Sequence, residues 1–312
     1  LQISTKSLEI KKLISFLRSF ENTPELFILE KIVKKGFLIA DIKLEFDSEG
    51  KVKDNYEIYG FIKDTKLSTF KKYDFQKLNL IFEYKKNDLS LKNIAFLLND
   101  LNFLSENISL KKVKKDFLIR GKLNHKKIDI EEKNIALFIK PYFPQIDIQN
   151  IRFSSTNDFS LRVNNKFEID DLKFESKVFI DDFSISNNYY LKNFLPNIKE
   201  SFNFSDHELS VKYIKGSLYL DGKGKVLTQD KEDFLTYSID KKNGNLDFKV
   251  SFEIDNNPFK IDFLNYEKNK AIIQIDGSKN SKKQTLIKSF SINEKKNKIK
   301  IKNLNLNNKL EI

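Results

Sequence analysis

Apolar and polar residues alternate along much of this chain of 312 residues, and one octapeptide pattern recurs four times. Each copy reads apolar-x-apolar, then two polar residues of which the second is Asn or Asp, then apolar-x-apolar. Alternation with a period of two is typical of a β-strand that keeps one face away from water. The apolar positions of the copies are Leu89, Leu91, Ile94 and Phe96; Ile146, Ile148, Ile151 and Phe153; Phe167, Ile169, Leu172 and Phe174; and Ile299, Ile301, Leu304 and Leu306.

The two adjacent polar residues of each copy shift the alternation by one position, which in a regular strand turns the second half to the opposite face. A β-bulge takes up one extra residue and bends the strand, so it restores the facing. We therefore predict a bulge or a sharp twist at the Asn or Asp of each copy. Such a protein keeps its apolar side chains on one side of a curving sheet, either for packing alone or to hold a ligand.

The most regular alternation runs through residues 246–263. Residues 255–258 read Asp-Asn-Asn-Pro, which predicts a turn between two antiparallel strands. One face of these strands is expected to be apolar, and the polar residues between are expected to face water. The apolar positions are Leu246, Phe248, Val250, Phe252, Ile254, Phe259, Ile261 and Phe263.

The helical signals are confined to residues 5–35. Thr23 and Pro24 have the residue types of an N-cap and a first helical position, and Gly36 follows two lysines as a C-cap glycine would. We therefore predict two short helices, followed by strands from Phe37 onward.

Together these patterns predict a mainly β fold: an elongated, curved, mostly antiparallel sheet that forms an open apolar groove, with short N-terminal helices. We expect a helical segment over residues 1–36 and a continuous, repeat-like β-groove over residues 37–312. Two similar hexapeptides, at residues 139–144 and 191–196, end in a proline and predict breaks or edge crossings, because proline cannot donate to a β-ladder. The chain begins at Leu1 without an initiator Met, so we expect a fragment of a longer chain.

The net charge of +12 could indicate nucleic-acid binding, but the kind of residue argues against it. Nearly all the positive charge is Lys, whereas base and phosphate recognition favours Arg for its paired hydrogen bonds. Lysines also alternate with apolar residues, as at Lys298 and Lys300, which is typical of a solvated outer face. The chain has no Cys, which excludes disulfides, and no apolar stretch of 18 residues or more, so we expect no membrane span here.

Catalytic motifs are not evident. His125 and His207 are the only histidines, and their polar neighbours predict solvated positions. Gly222-Lys-Gly224 lacks the flanks of a phosphate-binding loop and predicts a hairpin turn, and residues 276–283 predict a polar loop. We therefore expect no enzyme, no cofactor and no metal site.

Several segments resemble the periplasmic part of the AsmA-like family, closest to its YhdP-type branch. They are residues 36–46, residues 56–64, the Gly-Lys-Leu segment at residues 121–123, the two aromatic–proline hexapeptides and the four octapeptides. The resemblance spans most of the chain. It implies a bridge-like lipid-transfer protein, anchored to the inner membrane by an upstream segment and located in the periplasm of a Gram-negative bacterium. Its expected ligands are phospholipids, whose acyl chains would follow the groove between the inner and outer membranes.

Two other classes remain open at this point. A structural or adhesive β-repeat protein would have a dry, closed core in place of a groove. A basic nucleic-acid-binding protein would gather its Lys and Arg on one surface. The oligomeric state is not predicted by any of these patterns.

Overall fold

The computed structural model describes residues 1–20, 23–68, 74–86, 88–130, 147–164, 168–186, 194–261, 265–281, 284–294 and 297–306. Within these residues the chain forms two short helices and 17 strands, and the strands pair in antiparallel fashion. The predicted mainly β fold with short N-terminal helices is therefore confirmed. Three predicted apolar positions, Ile146, Phe167 and Phe263, and the hexapeptide at residues 139–144 lie outside the described residues.

The bounds of the helices and strands are as follows, in chain order. The helices are α1 (Ile10–Phe20) and α2 (Pro24–Ile32). The strands are β1 (Gln2–Ser4), β2 (Leu8–Glu9), β3 (Val33–Lys43), β4 (Glu57–Ser68), β5 (Asp74–Lys85), β6 (Asp88–Leu98), β7 (Leu101–Val113), β8 (Asp116–Ile130), β9 (Ile148–Val163), β10 (Ile169–Ser186), β11 (Ser201–Ile214), β12 (Ser217–Leu227), β13 (Asp233–Lys242), β14 (Asn245–Ile261), β15 (Tyr266–Lys279), β16 (Thr285–Glu294) and β17 (Asn297–Leu306).

The N-terminal segment contains both helices, together with the short strands β1 and β2. Helix α2 begins as predicted: the Leu26 amide donates to Thr23 Oγ1 at 3.4 Å, and Pro24 takes the first helical position. The predicted C-cap at Gly36 is wrong, because α2 ends at Ile32 and Gly36 lies inside β3 with φ +140°. A Cβ at Gly36 would lie 2.1 Å from Thr65 Oγ1, so the close approach of β4 requires the glycine.

The chain divides into two compact units. The first comprises residues 1–126 and 156–172, and in it β3 to β8 pair with one another in sequence order. The second comprises residues 127–155 and 173–312, and in it β11 to β17 pair in the same consecutive way. Each unit is thus a meander, the topology that strands joined by short polar turns predict.

The bulge or sharp twist predicted in the octapeptides is confirmed as a bulge in the first copy, whereas in the described residues the third and fourth copies share with it only a left-handed residue, and β17 stays in register with β16 across Asn303. Asn93, Asp171 and Asn303 have φ values of 50°, 50° and 56°, a left-handed conformation that Asn and Asp tolerate better than most residues. In the first copy the register of β6 against β5 shifts next to Asn93. Leu91 consequently packs with Ile94 in one hydrophobic cluster, so both halves of the octapeptide face the same side.

Three predicted turns are instead parts of strands. Residues 255–258 form an irregularity within β14, where the register against β15 shifts between Asp255 and Phe259. Gly222 and Gly224 lie inside β12, and β15 continues to Lys279 through the predicted loop. Gly222, Gly224 and residues 276–279 have turn-forming types, but their backbones pair with neighbouring strands, and such long-range pairing overrides local preference. Residues 256–258 are instead extra residues within β14, without partners on β15.

Candidate functional site: the apolar face of the sheet

The second unit carries three rows of apolar and glycine positions that cross six strands, β12 to β17. Within each row, directly opposite residues on neighbouring strands share one face of the sheet. At about 4.8 Å between strands, each row spans roughly 24 Å. The rows are Leu220, Ile239, Phe248, Gly277, Ile287 and Leu304; Gly222, Tyr237, Val250, Ile275, Phe290 and Ile301; and Gly224, Leu235, Phe252, Ile273, Ile292 and Ile299.

Strand β14 shows how the two faces differ. Leu246, Phe248, Val250 and Phe252 are half-buried, whereas the intervening charged residues, such as Lys249, are exposed. The predicted alternation of this strand is therefore confirmed. A half-buried apolar side chain touches its neighbours in the sheet and still presents surface outward, whereas a second protein layer packed against it would bury it.

Aromatic rings lie across glycines on this face. A Cβ at Gly222 would lie 2.3 Å from Tyr237 Cζ, and one at Gly277 would lie 2.5 Å from Phe248 Cζ. Each ring thus occupies the space that a side chain on the neighbouring strand would fill, an arrangement known to compensate glycine in sheets. At these two positions an aromatic ring therefore covers the glycine, and the apolar face has no gap there.

The first unit has the same kind of face. Two rows cross β3 to β8, again composed of apolar residues and glycines. These rows are Ile42, Ile58, Tyr84, Leu89, Leu110 and Ile119; and Ala40, Gly60, Phe82, Leu91, Ile108 and Gly121. Farther along the strands this face becomes buried at Leu80, Ile94 and Phe96.

One end of the apolar face in the second unit is sealed. Ile254 is only 1% exposed and packs with Phe259, Ile261 and Ile292. Leu195, in the connection between β10 and β11, joins this cluster. That connection contains the second predicted aromatic–proline break, and within its described part, residues 194–200, it does not form a strand.

A buried polar network closes the same end. Asn257 is fully buried; its side-chain oxygen accepts from the Lys231 amide, and its Nδ2 donates to Lys231 O at 2.7 Å and to Asp233 at 2.8 Å. Asp233 also accepts from the Asp255 amide at 3.0 Å. Burial raises the pKa of Asp233 despite these hydrogen bonds. The network ties the β12–β13 connection to the irregular part of β14.

Both histidines are buried, so their predicted solvated positions are wrong. Each is 2% exposed and lies within a strand, His125 in β8 and His207 in β11. His125 Nδ1 donates to the Asn102 carbonyl oxygen at 2.8 Å, and His207 Nε2 lies 3.2 Å from Tyr237 Oη. Burial lowers the pKa of both imidazoles. Their polar neighbours in sequence point to the other face of the sheet, which the alternation of a strand requires.

The structure places the predicted apolar residues in three environments. Ile94, Phe96, Ile148, Ile151, Ile254, Phe259 and Ile261 are buried. Leu89, Leu91, Phe153, Leu172, Phe174, Leu246, Phe248, Val250, Phe252, Ile299, Leu304 and Leu306 are half-buried. Ile169 and Ile301 are exposed, at 61% and 44%. Residues of β12, β13, β15 and β16 complete the rows but were not predicted, since only strand register reveals which residues lie opposite β14.

The opposite face is charged but balanced. Lys288 pairs with Asp247 at 2.6 Å, and Lys223 pairs with Glu208 at 2.9 Å. The partners in each pair come from different strands, so these lysines are paired with acidic side chains across the sheet.

Within the described residues there is no group of three or more His, Cys, Asp or Glu side chains that could hold a metal ion. The described helices include none that is both long and apolar enough to cross a membrane. No family model matches the chain, and neither the curated proteins nor the solved structures contain a match to it.

Proposed function

We propose that this chain is a periplasmic segment of a bridge-like lipid-transport protein, which carries phospholipid acyl chains along an apolar β-groove between the inner and outer membranes. The observation that carries the proposal is the set of three apolar rows across β12 to β17, in which most side chains are half-buried. An apolar surface that is both continuous and partly open suits a ligand that is itself a long hydrocarbon.

Transfer of such a ligand needs no bond to be made or broken. Transfer of a sixteen-carbon acyl chain from an apolar environment into water costs on the order of 13 kcal/mol of free energy, at about 0.8 kcal/mol per CH₂. Contact with a continuous apolar surface removes most of this barrier, while the headgroup stays in water at the open side. Rings such as Phe248 and Tyr237, held flat over glycines, offer large apolar area with few rotatable bonds.

The membrane partners belong to the same proposal. An upstream segment would anchor the protein to the inner membrane, and the apolar face would guide lipids across the periplasm. The resemblance of the octapeptides and of residues 36–46 to the AsmA-like family supports this location. The bulge at Asn93, which leaves Leu91 and Ile94 in one cluster, supports a strand design that keeps apolar side chains on one side.

A structural or adhesive β-repeat protein is the second candidate. The sealed cluster around Ile254 is the observation that favours it, because such a protein needs a dry core. Its apolar rows would bind no lipid in solution. The two candidates therefore differ in what co-purifies with the chain.

Lipid occupancy distinguishes these candidates directly. The chain has no Cys, so Val250→Cys introduces a unique thiol on the apolar face and Lys249→Cys introduces one on the charged face. After purification from a Gram-negative host, native mass spectrometry should detect bound phospholipid. A benzophenone attached at position 250 should crosslink to it far more efficiently than one at position 249. Absence of lipid, or equal crosslinking from both positions, contradicts the proposal.

A further inference from the structure

Helix α1 presents an apolar stripe that the rest of the chain does not cover. Leu13, Phe16, Leu17 and Phe20 follow the spacing i, i+3, i+4, i+7, so they lie along one side of the helix. Phe16, Leu17 and Phe20 are 60%, 41% and 76% exposed. The rings of Phe16 and Phe20 meet edge to face with centroids 4.9 Å apart, so they form one continuous patch.

Contacts on the other sides of α1 hold the helix in place and leave the apolar stripe facing outward. Ser15 Oγ donates to Glu30 of α2 at 2.9 Å, and Arg18 pairs with the same carboxylate. Ile14 is buried, at 5% exposure. The helix is therefore held on its Ile14, Ser15 and Arg18 sides, and the phenylalanines point away from those contacts.

The charge of α1 complements an anionic surface. The helix contains Lys11, Lys12 and Arg18 and no acidic residue. Lys12 precedes Phe16 by four residues, so it borders the apolar stripe. Lys11 and Lys12 are both exposed. The basic residues flank the stripe on one side only. Lys12 also pairs with Glu9 at 2.8 Å. Lys11 lies on the side of Ile14 and Ser15. A basic amphipathic helix with exposed aromatic side chains on one face is typical of helices that lie in the interface of an anionic bilayer.

The stripe is too small for a stable protein interface. With roughly 200 Å² of surface for each Phe, the exposed parts of Phe16 and Phe20 amount to on the order of 270 Å². A standard protein–protein interface buries about 800 Å² on each partner. A bilayer can cover a patch of any shape, and its anionic headgroups attract the lysines as well.

We propose that the α1 stripe, formed by Leu13, Phe16, Leu17 and Phe20, inserts into the interface of an anionic lipid bilayer. This membrane contact belongs to the described chain itself and does not depend on the proposed lipid transport. Since α1 contacts β3, the first long strand of the sheet, the insertion also places the start of the apolar rows of the first unit close to the membrane surface.

Tryptophan fluorescence tests the insertion, because the chain has no Trp. Phe20→Trp should show a blue-shifted emission when vesicles containing phosphatidylglycerol are added. Phe61→Trp, at a 42% exposed aromatic position on β4, is the matched control and should not shift. An unchanged emission of Phe20→Trp, or equal shifts from both positions, overturns the proposal.

Vesicle flotation gives a second measurement on the full chain. We expect the Phe16→Ser/Phe20→Ser variant to bind phosphatidylglycerol vesicles at least fivefold more weakly than wild type, and Tyr59→Ser/Phe61→Ser to bind like wild type. Lys11→Glu/Lys12→Glu should weaken binding, whereas Lys298→Glu/Lys300→Glu should not. A dimer in sedimentation velocity that Phe16→Ser/Phe20→Ser dissociates would assign the stripe to a second copy of the chain and overturn the proposal.

Discussion

The two halves of the apolar face of β14 are made of the same residue types but have different surroundings. From Leu246 to Phe252 the apolar side chains are half-buried, whereas Ile254, Phe259 and Ile261 are buried. The sealed half packs against Leu195 and Ile292, and the open half packs mainly against its neighbours within the sheet. The comparison indicates that one part of the face stabilises the fold and that the other remains partly exposed, as the proposed lipid site requires.

The polar network at Asn257 lies within the sealed half. At this point β14 takes up extra residues relative to β15, and the buried amide holds the Lys231 backbone and the Asp233 carboxylate. Every hydrogen-bonding group brought inside needs a partner, so a sealed end is possible only where such a network is complete.

The largest effect is expected from a charge in the sealed half. Ile254→Asp places a carboxylate where no water reaches, and it also removes a buried side chain. We expect the free energy of unfolding to fall by on the order of 4 kcal/mol or more, measured by urea denaturation followed by circular dichroism. The same substitution at Val250, in the open half, should cost only about 1 kcal/mol. Equal losses at the two positions would show that both halves are sealed.

Next in size is a loss of lipid without a loss of fold. Val250→Asp interrupts the middle row of the open half with a charge, so bound phospholipid per purified protein should fall about tenfold, which corresponds to roughly 1.4 kcal/mol. Lys249→Asp reverses a charge one residue away on the exposed face and should leave lipid binding unchanged. Native mass spectrometry gives both values, with melting curves as a check on folding. Normal lipid content in Val250→Asp would contradict the transport proposal for this strand.

A smaller effect concerns the protonation of His207, which lies buried beside Tyr237. Because burial lowers its pKa in the folded state, the unfolded chain binds a proton more readily as the pH falls below about 6.5. The stability contribution is therefore fully present above that pH and is lost on acidification. We expect the melting temperature to fall by a few degrees between pH 7.5 and pH 5, and to fall less in His207→Phe. An identical pH profile in the variant would mean that His207 does not titrate in this range.

The smallest effect tests the bulge at Asn93. An Ala there has a Cβ but no polar side chain to favour φ 50°, so Asn93→Ala should lower the free energy of unfolding by about 1 kcal/mol. Asn93→Gly should stay within roughly 0.5 kcal/mol of wild type, since glycine adopts this conformation freely. Lys92→Ala, which removes an exposed ion pair with Glu83, is the control with a normal backbone. A tolerated Ala would show that the bulge is not strained.

Local sequence patterns predicted the local features of this molecule correctly, but they did not predict which residues pair over long range. The alternation of residues 246–254, the N-cap at Thr23 and the bulge at Asn93 follow from short stretches of chain, and the structure confirms them. The predicted turn at Gly222 failed because neighbouring strands pair with that residue, and the one at residues 255–258 failed because β14 takes up the extra residues and continues to Ile261. His125 was assigned to solvent for a similar reason: its sequence neighbours are polar, but they lie on the other face of β8.

The sequence by itself determined that the chain forms strands with one apolar face and that the backbone turns left-handed at Asn93, Asp171 and Asn303. Both properties depend on side-chain alternation and on the backbone preferences of Asn and Asp, which act over a few residues. Only the tertiary structure decided which part of the face is sealed. Burial of Ile254 depends on Leu195 and Ile292, residues far from it along the chain, and the three apolar rows exist only because strand register aligns them. Such alignment is a property of the paired sheet, so no single strand contains it.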